Sequence, residues 1–128
     1  MSNNMDSIFD ISVNIINGYK FEILMGNFLD EFYSTNNDNR IKMISKAPLA
    51  LEQPEYVPFL AATAHKLAND YSLKIHNWVF NKYCYMPENQ PYFPVNLKGN
   101  IRLFYMYTSP TEFKHRNLFI DENALIRV

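Results

Sequence analysis

A chain of 128 residues is the size of one ordinary domain and long enough to bury most of the surface its unfolded form exposes. Apolar residues at 48% and aromatics at 16% exclude a disordered chain, and only three glycines argue against a loop-rich β-sandwich or a phosphate-cradling loop. The net charge of −1 excludes nucleic-acid binding by bulk charge but hides an asymmetry: residues 1–39 set six acids against Lys20 alone, a net of −5, whereas eleven bases outnumber seven acids by four over residues 40–128.

The chain order reads as helices. Asp6 or Ser7 can cap a first helix starting near Ile8, and Ser7-x-x-Asp10 has capping-box spacing. Ile8, Ile11, Ile15 and Ile16 form its apolar side, and Gly18 ends it or bends it. Phe21, Leu24, Met25, Phe28, Leu29 and Phe32 then recur at three- and four-residue steps, the cleanest amphipathic period in the chain. Residues 34–39 read as a loop or cap, 40–46 as a short basic helix stopped by Ala47-Pro48.

The stretch from Glu55 to Val79 is the organising one. Pro58 is tolerated in a first helical turn, Phe59, Leu60, Thr63, Leu67 and Tyr71 share a face, and four alanines between 61 and 68 admit close approach of a second helix. The helix breaks at Ser72, and the sole tryptophan, Trp78, follows. Pro87, Pro91 and Pro94 keep residues 81–96 out of helix and central strand, so this is read as an ordered aromatic loop whose Tyr83, Tyr85, Tyr92 and Phe93 pack on the helices. Period alone does not separate helix from strand over Ile101–Tyr107; with no second strand to pair with, helix is expected. Ser109-Pro110-Thr111-Glu112 reads as a capping box opening a helix that Asn117 ends in the left-handed conformation. Leu118, Phe119 and Ile120 form an extended apolar plug before a last turn, 122–127, capped by Asp121.

No catalytic residue, metal site or cofactor is assigned. His65, His76 and His115 have no ligand spacing, and Cys84 has no histidine motif beside it. The single cysteine cannot form an internal disulfide, and neither a signal peptide nor an 18-residue apolar run is recognised, so a cytoplasmic protein is expected, without a membrane. The strongest candidate contact residues are Lys114, His115, Arg116 and Asn117, joined by Arg102. Arg116 either forks a carboxylate or phosphate on a partner or pairs internally with Glu112 one turn earlier. A basic surface of Lys98, Arg102, Lys114 and Arg116 would instead suit nucleic acid.

Residues 55–128 resemble a group of small bacterial domains with an alanine-rich helix, a tryptophan, a Pro-Phe segment and a Ser-Pro-x-x-Phe-basic-Arg-Asn-x-Phe tail. The matching positions are Ala61, His65, Leu67, Trp78, Phe93, Ser109, Pro110, Phe113, Arg116, Asn117, Phe119 and Leu125; His76-Asn77 stands where the pattern has a proline-bearing turn. The resemblance implies a place beside toxin–antitoxin or regulatory genes and transfers no catalytic residue. The sequence therefore predicts one all-α domain of five to seven short helices, acidic over 1–48 and family-like over 49–128. Its expected function is non-enzymatic protein binding, an antitoxin-like or regulatory role, with a protein partner or self-association and with nucleic-acid contact as the alternative.

Overall fold

The computed structural model describes residues 6–93 and 99–126. Among them the fold is all-α: α1 (Ile8–Ile16), α2 (Phe21–Ser34), α3 (Asn37–Ser45), α4 (Tyr56–Asp70), α5 (Gly99–Thr108) and α6 (Thr111–Lys114), with two 3-10 turns at Asn77–Phe80 and Lys82–Cys84. No strand forms among the described residues; Tyr92 and Leu118 make one isolated parallel bridge.

Local chemistry sets most helix ends. Ser7 and Asp10 form the reciprocal box at the start of α1, the Asp10 amide donating to Ser7 Oγ at 3.1 Å and the Ser7 amide to the Asp10 carboxylate at 3.2 Å. Gly18 closes the helix at φ +100°; a Cβ there would meet nothing, so backbone conformation and not space requires the glycine. Helix α3 starts three residues before the basic segment expected from sequence, because the Asn36 side chain accepts the Asn39 amide and recruits polar residues into the first turn. Ser72, at φ +55°, turns the chain out of α4.

One hydrophobic cluster runs from Ile8 to Leu125. α1, α2 and α3 pack on one another, while α4 takes α6 and both 3-10 turns against its alanine-rich flank. Nine residues of α4, from Val57 to Ala68, are buried, far more than one face of a surface helix. Aromatic rings join the two groups: Phe21 stacks on Tyr56 at 4.3 Å and meets Phe59 edge-on at 5.4 Å, and Phe32 meets Tyr71 at 5.2 Å. Ser12, buried on α1, donates to the Phe9 carbonyl and accepts the Leu49 amide, pinning the linker between α3 and α4. Arg40 caps the C-terminal end of α2 through the Phe32 and Tyr33 carbonyls and stacks on Tyr71.

The tail closes the core differently from the sequence expectation. Pro110, not Ser109, occupies the cap of α6, and no side chain caps that helix. Ser109 is instead buried, its hydroxyl placed against the Tyr105 and Ile120 carbonyls while it accepts the Ile120 amide at 2.9 Å. It ties the end of α5 to the Leu118–Ile120 plug, all three residues of which are buried. The Glu112 carboxylate reaches Asn69 on α4 at 2.8 Å and makes no return bond to a cap. Asn117, at φ +63°, ends α6 as expected, and Asp121 accepts the Asn123 amide in the last turn. Residues 94–96 of the aromatic loop and Arg127 lie outside the described residues.

Candidate interaction surface

The five contact residues expected from sequence do not form one surface. Arg116 is 1% exposed. One terminal nitrogen donates to the Glu112 backbone carbonyl at 2.9 Å and lies 3.2 Å from His65 Nδ1; the other donates to the Val79 carbonyl at 2.8 Å. The guanidinium lies over the Tyr85 ring at 4.8 Å. Arg116 is therefore an internal clamp between α4, the first 3-10 turn and the aromatic loop, and it is unavailable to fork a carboxylate or phosphate on another molecule. It pairs with Glu112 as the internal alternative held, but through the main chain. Asn117 is likewise structural: its side-chain amide donates to the Pro87 carbonyl at 2.7 Å, holding the loop.

The remaining three face outward. Lys114 donates to the Tyr107 carbonyl at 2.8 Å, at the C-terminal end of α5, where a cation complements the helix dipole. His115 is exposed at the end of α6. Arg102 is exposed on α5 with its guanidinium 4.3 Å from the Phe93 ring centre. Lys98 lies outside the described residues.

Because Arg116 is always a donor, His65 must accept through Nδ1 and carry its proton on Nε2. Burial first, then the neighbouring Arg116 charge, holds His65 below its ordinary value; Glu112 opposes this and His115 adds to it. Burial pushes Glu112 up, but hydrogen bonds from Asn69 and from its own backbone, with Lys66 and His65 nearby, outweigh it, and its net direction is down. Burial pushes the Cys84 thiol up to about 11 against the pull of Arg116, so the thiol stays protonated and is a poor nucleophile near neutrality. No group of three or more His, Cys, Asp or Glu able to hold a metal ion occurs among the described residues. Three of the four loop rings proposed from sequence are engaged: Tyr85 under Arg116, Tyr92 half-buried against the core and Phe93 against Phe119 and Arg102. Tyr83 alone of the four is mostly exposed.

A hollow of about 340 Å3 between the 48–54 linker, the start of α4 and Tyr83 is lined by Pro48, Leu49, Pro54, Val57 and Pro58, with no ionisable group except Tyr83. It sits at the lower end of small-molecule site volumes and lacks convergent polar chemistry.

The helix expected over Ile101–Tyr107 forms as α5, and the feature that sequence reasoning missed is its exposure. Its ten residues contain one charge, Arg102, and none of them is buried. Ile101, Leu103, Phe104 and Met106 are between 40% and 58% exposed, and Tyr107 is 81% exposed. A helix apolar around its whole circumference normally lies inside a core; this one stands on the outside. The signal was present in the run Ile101–Tyr107, whose lack of a polar face made its period ambiguous. Comparison of the chain with protein families, curated proteins and solved structures gives no match.

Proposed function

We propose that this protein is a non-enzymatic protein-binding module, with α5 as its contact element in place of the Lys114–Asn117 segment. The observation that carries the reading is the uncovered helix: fully burying a large apolar side chain is worth about 1.5–3 kcal/mol, and the single chain leaves 40–81% of Ile101, Leu103, Phe104, Met106 and Tyr107 exposed, so a large part of that remains to be gained. Arg102 and Lys114 at its flanks give the surface a positive rim that would select orientation more than affinity. A regulatory or antitoxin-like role in a cytoplasmic setting is the context we assign; no helix among the described residues is long and apolar enough to cross a membrane. The nucleic-acid alternative has lost Arg116 to the interior, and Lys114 is tied to the Tyr107 carbonyl.

The test is co-purification from the native host at native abundance, comparing the wild-type chain with a Leu103→Glu/Tyr107→Glu double variant. The expected result is a stoichiometric protein, including any second copy of the chain, that is lost with the variant. Recovery of the wild-type chain as a lone monomer, or of the same material in the same assembly with both forms, would overturn the proposal.

A further inference from the structure

We infer that the occupant of α5 is a second copy of this chain, docked head to tail so that α5 lies across a groove on the acidic side of its neighbour. The inference rests on the binding-module reading and names its partner. The receiving groove lies between the end of α1, the linker and the start of α4, and is lined by Ile15, Ile16, Leu51, Glu52 and Tyr56. Its volume of about 240 Å3 is below the usual range for small-molecule sites and suits inserted side chains. Ile16 at its edge is 59% exposed.

Charge decides between this arrangement and a symmetric pairing of α5 with α5. Glu52 lines the groove, Glu22 and Glu55 act electrostatically on Tyr56 within it, and Lys20 is the only base in the first 39 residues. The donor helix carries Arg102, with Lys114 at its end. Two α5 helices facing each other would bring like charges together, whereas α5 over the groove sets Arg102 and Lys114 against an acidic rim. An apolar helix in a groove with charges at the rim is a common recognition mode. Because the two surfaces differ, each copy can offer its helix to one neighbour and its groove to another, which gives rings or open chains.

Sedimentation of the purified full chain over a wide concentration range, with two single variants, tests this. Leu103→Glu breaks the helix surface and Ile16→Glu breaks the groove; both positions are more than half exposed, so circular dichroism should show the fold intact. The wild-type chain is expected to associate beyond a dimer as concentration rises and to dissociate as salt rises. Each variant alone should be monomeric, and an equimolar mixture should form a dimer and nothing larger, because one intact helix and one intact groove remain. Arg102→Glu and Glu52→Arg should each weaken association and together, in one chain, restore it. A wild-type chain monomeric throughout, a mixture that stays monomeric, or an Ile16→Glu variant that associates like wild type would each overturn the head-to-tail pair. If the monomeric chain still captures a different protein from its host through α5, the binding-module reading stands and only the partner is wrong; if α5 substitutions change no association at all, both fall.

Discussion

Arg116 shows what a buried cation requires. With no carboxylate in salt-bridge contact among the described residues, its terminal nitrogens are met by two carbonyl oxygens and an imidazole lone pair and its plane by a ring face. The buried Nε has no hydrogen-bond partner among those residues. Arg116→Met keeps much of the volume but leaves the Val79 and Glu112 carbonyls without donors, so a loss of about 2–4 kcal/mol is expected in urea unfolding. Arg116→Lys should recover little, since one ammonium cannot span the fork. Its neighbour His65 makes stability depend on pH. The unfolded imidazole titrates near its ordinary 6.5 and the folded one lower, so between those values the unfolded chain holds more protons. Stability from this group is therefore complete above that window and is lost as pH falls through it. Thermal midpoints should drop between pH 7.5 and 5.5, and His65→Gln, whose amide oxygen can still accept from Arg116, should flatten the slope. A residual slope of the same sign should remain from His76, which burial first and Lys74 next also hold low. Glu112 contributes only at more acid pH, below its ordinary 4.5.

Among the elements, the ones legible in sequence were those whose burial follows a period. The α2 stripe from Phe21 to Phe32, the capping box at Ser7, the break at Ser72 and the left-handed Asn117 are all found where local chemistry places them. Ser109 was misread because a serine before Pro-x-Glu satisfies local capping rules, while its hydroxyl instead turns back to the Tyr105 carbonyl one turn earlier and to Ile120, a partner fixed only by the tertiary fold. Arg116 was legible only in part: its internal pairing with Glu112 one turn earlier was one of two readings, but His65 and Val79, 51 and 37 residues away, complete the clamp and take the side chain inward. The serine staple gives a sharp expectation. Ser109→Ala should cost about 1–3 kcal/mol, and hydrogen exchange should accelerate at the Ile120 amide before it does in α4.

Taken whole, the molecule is stratified from a helix buried nearly all round, α4, to one with no fully buried residue, α5. Exchange protection should follow that gradient, with α4 amides slowest and α5 amides close to unprotected in dilute solution. If a second copy covers α5, its amides should slow as protein concentration rises while those of α4 stay unchanged. The charge imbalance visible in composition maps only partly onto this gradient: the acids around the groove come from both halves, Glu22 from the acidic front and Glu52 and Glu55 from the basic remainder, while Arg102 sits on the uncovered helix. Composition could supply the imbalance but neither the groove nor the exposure, because both arise from segments far apart in the chain.

The indole of Trp78 donates to the Ile44 carbonyl at 3.1 Å, bridging the last turn of α3 and the first 3-10 turn. As the chain's sole tryptophan, it makes the protein a one-channel fluorometer for that joint. Its emission maximum should move to the red when the joint hydrates, even while far-UV ellipticity still reports intact helices, so a gap between the two melting curves would reveal a partial opening at that seam.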